Sequence, residues 1–150
     1  MTLPPQGRKS HRTSGSGTGA ARPETAARRS GTGAALGLAA LLGAAGLAHF
    51  VATDAYAGII PRALPAPRAW VYASGAAELV CAGLVAGPRT RRLGGWLTAG
   101  LFIAVFPANV QMALDGGIAG GGLLGPPLIA WLRLPLQIPL IAWAVWVARH

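Results

Sequence analysis

Charge is scarce in this chain. Charged residues make up 11% of its 150 residues, whereas soluble domains run near a quarter. Acids are rarest of all: Glu24, Asp54, Glu78 and Asp115 are the whole set. That deficit argues against a water-soluble globular domain. Cys81 is the single cysteine, which excludes an internal disulfide framework and a cysteine-based metal site. A lone thiol leaves the redox compartment open. HExxH and CxxC do not occur, and Gly120-Gly121-Gly122 has no following lysine and no preceding strand, so there is no phosphate loop. Only His49 lies near an apolar run, which excludes a pair of haem-ligating histidines on two helices. Strand-period alternation and internal repeats are also absent.

Apolar residues are what the chain has instead, at 53% of the total. Gly and Ala are abundant, as expected where transmembrane helices approach closely. The apolar residues fall into runs at about 33–51, 69–86, 93–114 and 128–148. Each is near the roughly 20 residues that cross a bilayer core as a helix. The expected fold is therefore all-α, an integral membrane four-helix bundle over residues 32–150. Between the first two runs, Pro61, Pro65 and Pro67 alternate with Ile59, Ile60 and Leu64, which reads as a re-entrant or interface-lying loop. Gly87 to Arg92 reads as a tight basic turn, and the Gly-rich stretch from Asp115 to Pro127 as a surface loop.

The net charge of +9 is unevenly spread, with six of thirteen basic residues in the first thirty. No basic stripe interleaved with aromatics runs along a folded surface, so a nucleic-acid partner is not expected. Residues 1–31 are rich in Gly, Ser, Thr, Pro and Arg and read as a disordered basic cytoplasmic tail near anionic lipid. A second reading is a cleaved leader with Arg28-Arg29 before its apolar stretch and Ala55-Tyr56-Ala57 at its end. That stretch is longer than a leader core. The basic turn at Arg89, Arg91 and Arg92 shares a face with the tail if there are four spans. The positive-inside tendency then predicts both termini in the cytoplasm and a multi-pass protein of the cell inner (plasma) membrane.

Glu78 is the most telling residue. It is the only charge between Arg68 and Arg89, and an acid inside a span needs a partner or a water-filled cavity. Arg133, the only basic residue within the last run, is the expected partner. Glu78 lies near the middle of its run, and His49, Ser74, Asn109, Gln111, Arg133 and Gln137 fall towards the ends away from the basic turn, so every span contributes to the same half of the bilayer. Ser74, Glu78 and Cys81 share a helical stripe, as do Arg133 and Gln137. Pro107 is expected to kink the third span and free the carbonyl of Ile103. Pro135 and Pro139 should free those of Trp131 and Pro135. The shared depth points to one polar pocket for a small molecule or quinone-like ring. Interhelical glue and register-setting remain equal alternatives. No metal site and no self-sufficient catalytic motif is visible.

The order of several short motifs resembles the DoxX family, in its DoxX-like branch of small four-helix membrane proteins. The motifs are His49-Phe50, Ile60-Pro61, Leu64-Pro65, Val71-Tyr72-Ala73-Ser74-Gly75-Ala76-Ala77-Glu78, Pro88-Arg89-Thr90-Arg91-Arg92, Gly95-Trp96, Phe106-Pro107-Ala108-Asn109 and Leu132-Arg133-Leu134-Pro135-Leu136-Gln137. They span about residues 33–147. The resemblance implies an accessory or subunit of a membrane redox system, with an oxidoreductase partner. Members of that family look like subunits of a thiosulfate:quinone oxidoreductase or are linked to thiol and oxidative-stress partners. With one cysteine the chain has no dithiol of its own. Two other readings stand beside this one: a structural or assembly protein, and a small transporter, which would need a homo-oligomer to enclose enough volume.

Overall fold

The computed structural model describes residues 23–118 and 126–150, with side chains from residue 31 onward. The described residues form α1 (Pro23–Val51), α2 (Thr53–Ala57), α3 (Pro67–Ala86), α4 (Arg91–Ala104), α5 (Phe106–Leu114) and α6 (Pro127–Arg149), with no strand among them. Four helical segments are long and apolar enough to cross a membrane: Gly31–Val51, Pro67–Ala86, Arg91–Leu114 and Pro127–Arg149. These match the expected runs within a few residues. α1 starts earlier than expected, because Pro23 suits a first helical position, where no amide donor is needed. The helix thereby takes in Arg28 and Arg29, which the sequence reading assigned to the tail. Residues 1–22, the rest of that expected tail, and the Gly-rich stretch 119–125 lie outside the described residues.

Large apolar side chains point outwards along the spans, among them Leu47, Val80, Ile103, Leu132 and Ile138. In water such a surface would be unfavourable, whereas in lipid it is the expected solvent face. Inside, small residues let the helices close up. Phe50 stacks on Tyr72 at 5.7 Å between ring centroids, Gly75 faces His49, and Gly46 faces Leu79. Those pairs run in opposite senses, so α1 and α3 are antiparallel. At the basic turn, Thr90 Oγ1 donates to the carbonyl of Leu84 (2.7 Å) and Gly94 packs on the backbone of Leu84 and Val85. This folds α4 back along α3. Gly95 meets the backbone of Ala148, which seats the last turn of α6 on the first turn of α4. Leu38, Leu42, Cys81, Val85, Phe102 and Val147 belong to the central core.

The third span is broken at Val105, two residues before Pro107, so α4 and α5 are separate helices. The interruption falls beside Pro107, where the kink was expected, and the bonds from Val105 to Leu101 and from Asn109 to Val105 carry the chain across it. α6 runs through Pro135 and Pro139 without interruption. α5 ends in a Schellman arrangement, with the Gly117 amide bonded to Met112 O and the Gly116 amide to Ala113 O. Gly116 has φ of +82°, which glycine adopts without a Cβ penalty. Ile118 then turns inward and packs with Met112, Ala113 and Ala130. Ile59 joins the same cluster. The proline-containing connection is thus not a plain surface loop: α2 opens it, Ile59 is buried, and an exposed Arg68–Asp54 pair at 2.8 Å ties its ends.

The glycine contacts make a sharp test. A Cβ at Gly94 would lie 2.6 Å from the backbone nitrogen of Val85, whereas at Gly100 nothing lies within 4 Å. Gly94→Ala should lower stability in detergent by roughly 1–3 kcal/mol. Gly100→Ala should leave it unchanged or raise it by up to about 1 kcal/mol. Thermal unfolding of the two variants side by side measures this, and equal melting temperatures would contradict the packing.

Candidate functional site

The site is built where α1 and α3 cross. A Cβ at Gly46 would lie 2.9 Å from Gly75 O, and one at Gly75 would lie 2.7 Å from His49 Cβ. Only glycine at these positions lets the backbones come so near. One turn on from each glycine stands an ionisable residue, His49 after Gly46 and Glu78 after Gly75. Helical side chains lean towards their own N-terminus. Because α1 and α3 are antiparallel, that lean brings His49 and Glu78 together. His49 Nδ1 lies 3.3 Å from Glu78 Oε2, and both side chains are largely buried, 14% and 10% exposed.

The hydrogen positions follow from the partners. His49 Nδ1 lies 2.8 Å from Ala45 O, and a carbonyl can only accept, so Nδ1 carries a hydrogen aimed at Ala45. Glu78 Oε2 is close to that nitrogen but not along its N–H direction. It is fully buried and has no hydrogen-bond partner. A buried carboxyl oxygen without a hydrogen bond is costly in a helix interface. Tyr56 of α2 stacks on the other side of the imidazole, at 4.2 Å between centroids, and Thr53 Oγ1 donates to His49 O (2.8 Å). α2 therefore covers the pair.

A second polar group sits between α4, α5 and α6. Asn109 Nδ2 donates to Gln137 Oε1 (3.1 Å), and Gln137 Nε2 donates to the carbonyl of Phe102. That carbonyl lies in the last turn before the break at Val105. Gln137 is buried, and the amide takes the place of a helical donor, as expected near a proline break. The satisfied carbonyl is that of Phe102, one residue from the Ile103 expected from Pro107.

The remaining expected site residues are elsewhere. Ser74 donates to Val71 O of its own helix (3.0 Å). Gln111 donates to Asp115 (2.9 Å) at the exposed end of α5. Arg133 was the expected partner of Glu78 and is not in direct contact with it. Its Nη1 lies 3.9 Å from Met112 Sδ. α6 packs on α4 and α5 and reaches α1 chiefly near Trp143, so its polar stripe does not face α3. The single cluster expected from depth is thus two pairs, His49–Glu78 and Asn109–Gln137, with Arg133 in neither.

A groove of about 490 Å³ opens beside the first pair, lined by Phe50, Thr53, Asp54, Arg68 and Tyr72 among others. It stops short of Glu78, and Phe50 is shared between the groove and the α1–α3 seam. Tyr56 and Gly46 were missed from the sequence. Tyr56 lies seven residues after His49, two helical turns on, and the spacing Gly46-x-x-His49 mirrors Gly75-x-x-Glu78. That mirror image was the available signal. Among the described residues no group of three or more His, Cys, Asp or Glu could hold a metal ion.

Double-mutant cycles separate the observed pair from the expected one. Stability changes for His49→Gln and Glu78→Gln should be non-additive by about 1 kcal/mol. Those for Glu78→Gln and Arg133→Gln should add within roughly 0.5 kcal/mol. Coupling of Glu78 to Arg133 instead of His49 would overturn the assignment.

Comparison with characterised proteins is spare. No curated protein and no solved structure matches the chain. One family model matches residues 38–148, from the second turn of the first span to the end of the last helix, and so takes in both polar pairs and every packed span. The chain is thus a member of the family described as Domain of unknown function (DUF8561).

Proposed function

We propose that this protein is a multi-pass component of the cell inner (plasma) membrane, a four-helix bundle of the DoxX-like kind, that serves a membrane redox system by holding a quinone-like ring or similar small molecule at Glu78 and His49. The unpartnered Glu78 Oε2 carries this reading. A buried carboxylate oxygen with no donor fits a ligand that brings its own hydroxyl, as a quinol does. The ring would supply a two-electron, two-proton couple when bound. The chain would supply an acceptor at Glu78, an imidazole fixed by Ala45 and Tyr56, and a wall of lipid-facing helices that excludes water. Electrons would have to pass to a partner oxidoreductase, since the chain carries one cysteine and no dithiol.

A second reading is favoured by the α1–α3 seam itself. The pair sits one turn from a glycine crossing, so it could serve only to fix the register of two helices. Glu78→Gln distinguishes the two. Under the binding reading the variant accumulates as a folded protein, with a stability change no larger than the roughly 1 kcal/mol coupling to His49, and it binds a short-chain ubiquinol analogue in nanodiscs roughly tenfold more weakly, the loss of a charge-assisted bond. Under the register reading its abundance and melting temperature fall. Quenching of tryptophan fluorescence gives the affinity, and unaltered ubiquinol binding in a well-folded variant would sink the binding reading.

The orientation follows from the basic residues at one end. With Cys81→Ala as background, a thiol reagent added outside intact cells should label Asp115→Cys and not Pro88→Cys. Strong external labelling at Pro88→Cys would reverse the topology.

A further inference from the structure

The end of the molecule opposite the His49–Glu78 pair holds a different arrangement. A cavity of about 190 Å³ lies between the start of α4 and the end of α6, lined by Pro88, Arg91, Arg92, Arg149 and His150 among others. Three of its basic groups, Arg91, Arg149 and His150, are held by separate anchors. Arg91 Nε donates to Val85 O (3.4 Å). The Arg149 guanidinium lies over the Trp96 ring, 5.9 Å from its centroid, within cation–π range. His150 stacks on Trp146 at 4.6 Å and bonds Trp146 O through Nδ1 (2.9 Å). The backbone contact of Gly95 with Ala148 fixes the two helix ends against each other.

Two further features favour an anion. Among the described residues, Arg91, Arg92 and Arg149 have no carboxylate within 4.0 Å, since the ion pairs there are His49–Glu78 and Arg68–Asp54. The first turn of α4, a helix of 14 residues, has no side-chain cap, because the Thr90 hydroxyl is turned back to Leu84 O. Arg91 and Arg92, the first residues of that helix, line the cavity, so the positive end of its dipole lies beside it. Trp96 and Trp146 mark this level as near an interface, where aromatic rings sit beside lipid headgroups.

We propose that this cavity is a binding site for a phosphate-bearing anion, with Arg91, Arg92 and Arg149 as its ligands and the headgroup of an anionic phospholipid as its source. Basic pockets between spans at a membrane surface suit such headgroups, because the acyl chains stay in lipid while the phosphate meets fixed donors. The site is separate from the Glu78 pair and does not depend on the reading proposed for it.

Native mass spectrometry of the full chain in detergent tests it, with phosphatidylglycerol, phosphatidylcholine and inorganic phosphate as probes. Phosphatidylglycerol should be retained in preference to phosphatidylcholine. Arg91→Gln and Arg149→Gln should each weaken its retention about fivefold, and Arg62→Gln, at the opposite end, should not. Melting temperatures without added lipid report folding. Arg149 is exposed on the last turn, so Arg149→Gln decides the matter if Arg91→Gln folds poorly. Failure of millimolar inorganic phosphate to displace the lipid supports the headgroup as source. Displacement supports the same site with free phosphate as its ligand. Equal retention of the two lipids, or a loss in Arg62→Gln as large as in Arg149→Gln, overturns the proposal.

Discussion

Everything at the candidate site depends on how closely α1 and α3 approach at Gly46 and Gly75. A methyl group at either position would lie within about 3 Å of the opposite chain. Between lipid-facing helices there is little hydrophobic force to drive association, so packing distance decides whether polar groups meet. Here the crossing leaves one turn on each helix for an ionisable residue. The backward lean of helical side chains then aims both at the same point. Larger residues at the crossing would part His49 from Glu78 without touching either. The pair is a consequence of two missing side chains.

The second polar group answers a different constraint. Pro107 lies two residues beyond the break at Val105, where the helical ladder of the third span is interrupted inside the membrane region. A bare carbonyl there has no water to turn to. Gln137, held inside α6 between Pro135 and Pro139, supplies its amide to Phe102 and accepts from Asn109. Donors and acceptors are matched in this group. In the first group one oxygen is left over. That contrast singles out Glu78 as the place where a ligand would change the energetics, while Asn109 and Gln137 are accounted for as repair of a broken helix.

The spans were legible in the sequence because a membrane demands about 20 apolar residues per crossing, and four runs of that length stood out. Neighbourhood was not. Arg133 and Glu78 are the only opposite charges well inside the spans, and cost alone made them partners. The structure instead sets α6 against α4 and α5 and sets α1 against α3. Which helix lies beside which is decided by small-residue contacts such as Gly46 with Gly75 and Gly95 with Ala148. Those glycines look like any others among the 22 in the chain. The beginning of α1 was missed for another reason. The basic, Ser- and Thr-containing segment reads as disordered by composition, yet Pro23 begins a helix that the following apolar run extends.

The scarcity of acids ties the two ends of the molecule together. Asp54 lies in an exposed pair with Arg68 and Glu78 beside His49, while Asp115 accepts from Gln111. Asp54 and Asp115 lie towards the α2 end of the spans, and Glu78 near the middle of α3. At the basic end no Asp or Glu side chain among the described residues pairs with Arg91, Arg92 or Arg149. Within that cluster Arg149 is held over Trp96 and Arg91 on the carbonyl of Val85. One imbalance in composition thus leaves the arginines of one end without an acidic side chain beside them among the described residues, while Glu78, near the middle of α3, keeps one buried oxygen next to His49 that no hydrogen bond satisfies.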